Sequence, residues 1–164
     1  MFGHLLKDLI ITVHERLEEL GLKLPEPPDP VANFTNFSIQ DNMLYISGQG
    51  PVEADGTKHC GKVGRDVSLE DAKKHARLVG LNLISVINTA LNRDLDRVDK
   101  VVKIIGFVNS DANFYFQPEV INGCSDLMVD VFGERGCHTR TAIGAAVLPF
   151  NITVEIEAIV ALKK

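Results

Sequence analysis

The most constraining feature of this sequence is its last quarter, which predicts two β-strands separated by a short break. The first strand, which Arg140 opens, contains the small, apolar run 142–148. From 153 to 161 apolar and polar residues alternate, so one face of the second strand is apolar while the other carries Glu155 and Glu157. With Arg140 heading the first strand, these acids make the pair unusual for a purely structural hairpin.

Hydrophobic periodicity along the rest of the chain predicts the order helix, strand, strand, helix, strand, helix, strand, strand. Apolar residues at steps of three and four mark the helices, and short apolar runs bounded by turn residues mark the strands. Ser68 is the predicted cap of the long central helix, and Gly133 is the predicted stop of the last one. The predicted helices cover 4–20, 69–91 and 118–132, and the strands before the closing pair cover 33–40, 43–48 and 101–108.

A proline-rich stretch at 25–30 predicts a stiff connector after the first helix. It divides the chain into a helix with its connector, 1–30, and a single domain, 31–164. The order β-β-α-β-α-β-β within that domain predicts an α+β fold, in which two helices cover one face of a mixed sheet.

The other face of such a sheet has no helices to cover it. We expect it to contain apolar residues, namely Leu44 or Ile46, Ile104 and Val147. An exposed apolar face of that size usually meets a partner, so the pattern predicts a homo-oligomer.

Composition narrows the function classes. The net charge of −5 over 164 residues argues against a non-specific nucleic-acid binder, which needs a basic surface to meet phosphates. Three widely spaced cysteines argue against a disulfide framework. No apolar run approaches the roughly 18 residues that span a bilayer, and the start of the chain lacks the features of a signal peptide. These features predict a soluble cytoplasmic protein that does not enter membranes.

Two segments resemble signatures of the RidA/YjgF/L-PSP family. The run 46–51 resembles the family's SGQ-x-P corner, and 140–149 followed by 154–158 resembles its C-terminal signature with matching spacing. The resemblance covers roughly 33–162. It implies a chorismate-mutase-like fold assembled as a homotrimer with clefts between subunits.

The resemblance also implies an activity. Well-studied members hydrolyse reactive enamines and imines of the 2-aminoacrylate type to 2-keto acids and ammonia, without a cofactor. Other members have been described as endoribonucleases that inhibit translation, and some have no assigned activity.

Arg140 and Glu155 are the predicted catalytic residues. Arg140 taken alone favours a surface or interface ion pair, but in the family pattern its planar guanidinium would clamp a substrate carboxylate. Glu155 would take a proton from the attacking water and return one to the leaving amine. Without the resemblance it reads as a solvated strand residue beside Glu157.

Five further residues are assigned to substrate binding through the resemblance. Ser47, Gly48 and Gln49 would form a wall with backbone donors, and Gly48 would act through its geometry. Phe34 would supply an apolar wall, where many members carry a tyrosine. Asn122 matches a family asparagine across an insertion.

No metal site is predicted, because the five histidines lack ligand spacing. Cys137 and His138 are adjacent, so in a strand their side chains point apart and a catalytic pair is not expected.

Three alternatives remain open at the level of sequence. The same cleft could serve a non-catalytic binder of small carboxylates, which needs Arg140 but not Glu155. The protein could be an endoribonuclease, against which its acidic balance counts. Residues 1–30, absent from short members, could bind a partner.

Overall fold

The computed structural model describes residues 11–27, 29–30 and 32–164. Its elements follow the predicted order and build a chorismate-mutase-like α+β fold with one mixed five-stranded sheet. The helices are α1 (Val13–Glu19), α2 (Leu69–Ala90) and α3 (Gln117–Phe132), and the strands are β1 (Phe37–Gln40), β2 (Met43–Gln49), β3 (Val98–Asn109), β4 (Thr139–Ala145) and β5 (Val154–Leu162).

The predicted helix boundaries of the main body are confirmed by their capping residues. Ser68 precedes α2 and its hydroxyl accepts a hydrogen bond from the backbone amide of Asp71. Pro118 lies in the first turn of α3, and Gly133 ends that helix with φ 61°, a value that favours glycine. None of the described helices is both long and apolar enough to cross a membrane.

The sheet has the strand order β1-β2-β5-β3-β4. All neighbouring pairs are antiparallel except β3 and β4, which run parallel because α3 connects them as a crossover. The alternating strand β5 is therefore central, while β4, which carries Arg140, forms one edge.

The helices cover the face of the sheet opposite to the one expected. Leu44, Ile46 and Ile104 are buried beneath them, so their assignment to the uncovered face was wrong. Val147 is exposed but lies beyond the end of β4. Alternation defines two sets of residues on each strand but does not say which set meets the helices.

The open face is nevertheless rich in apolar side chains. Register places Tyr45 beside Ile159, and Phe107 beside Ile143. Glu155 and Glu157 belong to the same face, because their neighbours along β5 are buried under the helices. The predicted division of β5 into an apolar and an acidic face is confirmed, although Thr153, just before the strand, is buried.

Within the described residues, the first helix begins at Val13, later than predicted. It packs against the core of the main domain. Residues 4–10 of the predicted helix lie outside the described part of the chain. Thr12 caps α1 in a capping box with Glu15. Val13 and Leu17 are buried in the same core as α2 and α3, so α1 is not a detached element. The division of the chain at residue 30 stays a prediction.

Glycines allow α2 and α3 to approach closely. A Cβ on Gly123 would overlap the backbone carbonyl oxygen of Lys73, and one on Gly80 would press on Cys124. The backbones of the two helices are therefore in contact where they cross, which leaves no room for a side chain at Gly123.

We expect Gly123→Ala to lower the free energy of unfolding by about 1–3 kcal/mol, because the added methyl group must push rigid backbone apart. Urea denaturation followed by circular dichroism measures this change. Thr89→Ala, at an exposed position of α2, is the control and should change stability by less than about 0.5 kcal/mol. Equal stability of the two variants would contradict close contact at the crossing.

Candidate functional site

Arg140 lies on the edge strand β4 and points to the helix side of the sheet. Its partner in the parallel register is Ile104, which is buried beneath the helices. Residues paired across a ladder point to the same face, so the guanidinium extends along the outer side of α3.

Two side chains of α3 hold the Arg140 guanidinium. Its Nη1 donates to Asn122 Oδ1 at 2.7 Å and to Ser125 Oγ at 3.2 Å. Asn122 and Ser125 lie three residues apart, so both face β4 from one side of the helix. Within the described residues Arg140 forms no ion pair, which argues against the simple alternative of a structural salt bridge.

His138 completes this cluster. Its Nδ1 lies 2.6 Å from the carbonyl oxygen of Gly136, and its Nε2 lies 2.9 Å from Ser125 Oγ. A carbonyl only accepts hydrogen bonds, so Nδ1 carries the hydrogen. Burial lowers the pKa of His138, the hydrogen bond to Gly136 acts in the opposite direction, and the charge of Arg140 lowers the pKa further. The neutral ring then accepts the Ser125 hydroxyl hydrogen at Nε2.

Glu155 lies on the open face, at a bulge in β2. The register between β2 and β5 shifts between Ile46 and Gln49, and Gly48 lies within that shift. A Cβ on Gly48 would overlap the carboxylate of Glu155, so the acid lies directly against this glycine. Burial, and next the negative charge of Glu157, raise the pKa of Glu155.

Arg140 and Glu155 of one chain do not meet. They lie on opposite faces and on strands separated by β3, so their backbones are about 10 Å apart across the sheet. Their register partners on β3, Ile104 and Phe107, add about 10 Å along it. The two predicted catalytic residues therefore lie in two separate places within a single chain.

The remaining predicted site residues lie either near Glu155 on the open face of the sheet or away from both Glu155 and Arg140. The Ser47 hydroxyl donates to the carbonyl of Thr35 at 2.6 Å, in a groove that also includes Glu157. Gln49 is buried and donates back to the Ser47 carbonyl. Phe34 lies in the segment before β1 with half of its side chain exposed.

A family model described as "YjgF/chorismate_mutase-like, putative endoribonuclease" matches residues 14–161. This match covers most of the chain. The protein belongs to the YjgF/RidA/L-PSP family.

Relatives cover nearly the whole chain. It is 40% identical to Protein TCP17 of Trypanosoma cruzi over 151 residues, which are 92% of this chain and 94% of that one. The structure of Atu1372 from Agrobacterium tumefaciens matches with 44% identity and a TM-score of 0.85, covering 93% of this chain and 94% of that one. A Shewanella oneidensis protein titled a putative endoribonuclease matches with 29% identity and a TM-score of 0.89, covering 93% and 100%.

Ser125 and His138 are the members of the cluster around Arg140 that sequence reasoning missed. The end of a helix and a turn separate the two residues along the sequence, so no local pattern pairs them. His138 was considered only beside its neighbour Cys137. The expectation that the Cys137 and His138 side chains point apart assumed a strand, but β4 begins at Thr139 and both residues line the groove beside Arg140. The sequence did contain one signal for Ser125. It follows Asn122 by three residues, so both lie on the same face of the helix that precedes the strand of Arg140.

We expect the His138 ring to be the Nδ1–H tautomer, with a pKa below the ordinary histidine value of about 6.5, because it is partly buried beside a guanidinium. Two-bond ¹H–¹⁵N correlation spectra across a pH series measure both properties, and His138→Gln assigns the signals. Arg140→Ala should raise this pKa, since it removes a nearby positive charge. An Nε2–H ring at neutral pH would contradict the hydrogen-bond assignment.

Proposed function

We propose that this protein hydrolyses small enamines and imines bearing a carboxylate, of the 2-aminoacrylate type, to 2-keto acids and ammonia. The reaction would take place in clefts between the subunits of a homotrimer. The observation that carries the proposal is the guanidinium of Arg140, which is held on one side by Asn122 and Ser125 and has no carboxylate partner among the described residues.

The free edge of this guanidinium suits a carboxylate. The two hydrogen bonds to α3 use Nη1, and within the described residues neither Nη2 nor Nε of Arg140 has a protein acceptor. These two nitrogens form a planar fork that can donate two parallel hydrogen bonds to a substrate carboxylate. The side chain is half-buried, so the fork is held in place before the substrate arrives.

Glu155 is suited to handle protons. Its raised pKa brings its protonated and ionised forms closer in energy at neutral pH. The ionised carboxylate takes a proton from water as the oxygen attacks the iminium carbon. The attack forms a carbinolamine, and the acid returns the proton to its nitrogen. The C–N bond then breaks as the Glu155 carboxylate takes the hydroxyl proton, which releases the keto acid and ammonia.

The separation of Arg140 and Glu155 within a chain is the reason for assigning the reaction to clefts between subunits. A three-carbon substrate cannot span two faces of a sheet. If the open sheet face of one subunit packs beside the β4 edge of the next, Arg140 of one chain comes opposite Glu155 of its neighbour. The apolar side chains of the open face, among them Tyr45 and Ile143, favour such packing.

Four of the other assigned residues would shape the half of the cleft that contains Glu155, and Asn122 would support Arg140 in the other half. Gly48 leaves room for the Glu155 carboxylate, and the backbone around Ser47 and Gln49 would line the pocket. Phe34, exposed before β1, would supply an apolar wall. Asn122 would act by orienting Arg140 rather than by touching the substrate.

A non-catalytic carboxylate binder is the second candidate. The clamp of Arg140, Asn122 and Ser125 is complete within one chain. Glu155 reaches a carboxylate bound there only from a neighbouring subunit. If the subunits assemble in another way, the clamp can bind a carboxylate but no acid is present for catalysis. An endoribonuclease is disfavoured by the net charge of −5, and RNA cleavage that disappears on further purification would remove it.

We expect wild-type protein to accelerate keto-acid release when a PLP-dependent dehydratase generates 2-aminoacrylate from serine, with semicarbazide trapping as the readout. Arg140→Ala should lose most of this activity, by at least about 100-fold, because the carboxylate is no longer held. Arg65→Ala, at an exposed arginine paired with Asp66, is the matched control and should keep full activity. Full activity of a folded Arg140→Ala variant would exclude the proposal.

Mixing inactive variants tests the composite site. Arg140→Ala and Glu155→Gln subunits, each inactive alone, are refolded together so that mixed trimers form. Some clefts then pair an intact Arg140 with an intact Glu155, and activity should return to about one quarter of wild type at equal mixing, if assembly is random. No recovery in proven mixed trimers would show that both residues must come from one chain. Carboxylate binding without any turnover by wild type would favour the binder.

A further inference from the structure

The cluster beside Arg140 contains a second arrangement with the form of an activated nucleophile. Ser125 Oγ lies 2.9 Å from His138 Nε2, and the opposite ring nitrogen is held 2.6 Å from the Gly136 carbonyl. Nucleophile, base and orienting acceptor follow one another at hydrogen-bond distances. This is the geometry that makes a serine hydroxyl reactive.

The orienting carbonyl is firmly fixed. Gly136 is buried, and a Cβ there would overlap the carbonyl oxygen of Met128 in α3. The turn Gly133–Gly136 is therefore pressed against the helix that carries Ser125. His138 and Ser125 are positioned by the same rigid contact, so their hydrogen bond does not depend on a mobile loop.

The charge around Ser125 favours an alkoxide. Arg140 Nη1 donates to Ser125 Oγ at 3.2 Å, so a positive charge faces the oxygen as it loses its proton. The neutral state of His138 leaves Nε2 free to take that proton. Ser125, His138 and Arg140 all line an open groove of about 310 Å³, together with Asp126, Val129 and Cys137.

We propose that Ser125 is the nucleophile of an acyl-transfer site, with His138 as its base, and that the site takes small acyl esters or thioesters bearing a second carboxylate. The free fork of Arg140 would bind that carboxylate, which brings the acyl carbon back towards Ser125. This site shares Arg140 with the proposed deaminase but needs neither Glu155 nor a neighbouring subunit.

The reaction has two balanced steps. Ser125 Oγ attacks the acyl carbon while His138 Nε2 takes the hydroxyl proton, and the alcohol or thiol leaves after receiving that proton from His138. The acyl group is now an ester of Ser125. Water then attacks the same carbon, His138 accepts its proton and returns it to Ser125, and the carboxylic acid is released.

Covalent labelling tests the nucleophile directly. Wild-type protein is treated with a fluorophosphonate probe, and the modified residue is located by peptide mass spectrometry. We expect the label on Ser125, a loss of labelling in Ser125→Ala, and a rate at least about tenfold lower in His138→Gln. Cys60→Ser, which removes an exposed thiol outside this groove, is the control and should label like wild type.

Ester hydrolysis tests the substrate class. Mono-4-nitrophenyl adipate and 4-nitrophenyl hexanoate have acyl chains of matched length and differ in the terminal carboxylate. Wild type should hydrolyse the adipate at least about tenfold more efficiently in kcat/KM, and Arg140→Ala should lose this preference. Ser125→Cys is a second variant that preserves a nucleophile if Ser125→Ala fails to fold.

Labelling at other residues, or a labelling rate that Ser125→Ala leaves unchanged, would overturn the proposal, as would equal hydrolysis of the two esters. Keto-acid release from 2-aminoacrylate is measured on the same preparations. Failure of the acyl-transfer site alone leaves that release intact in wild type, whereas failure of the deaminase alone leaves Ser125 labelling intact.

Discussion

The structure depends on the central position of β5, because this strand must satisfy two different environments at once. Its buried set, which includes Val154 and Ile156, packs under α2, while Glu155 and Glu157 remain on the opposite face. Burial on one side fixes the register of the strand, since a slip of one residue would move both acids into the core. The carboxylate of the proposed site is therefore held by the same hydrophobic packing that stabilises the fold.

The parallel pairing of β4 with β3 is the second feature that builds the candidate site. The crossover through α3 brings that helix alongside the edge strand, so Asn122 and Ser125 meet Arg140 over a short distance. A cation at a sheet edge would ordinarily be solvated and mobile. Here two hydrogen bonds to a rigid helix fix one side of the guanidinium and leave the other side available, which is the property that both proposed activities use.

Much of the fold could be predicted because its signals are local. Ser68 and Gly133 mark helix ends through their own backbone preferences, and the alternation along β5 follows from the pleat. The face of the sheet to which Leu44 and Ile104 belong could not be predicted. Alternation divides a strand into two faces, but it does not show which face the helices cover. The candidate site was predicted in the same uneven way. Arg140 and Asn122 were found and do meet, whereas the wide separation of Arg140 from Glu155 in one chain had no signal in the sequence.

The sequence by itself determined the order of elements, the family, and the residue types that can bind a carboxylate and move a proton. These follow from periodicity, capping and spacing, which act over a few residues. Only the tertiary structure decided which face of the sheet each side chain occupies, and it alone brought His138 to Ser125. The physical reason is that such contacts depend on how a helix end, a turn and a strand pack together, and that packing is decided by the core as a whole.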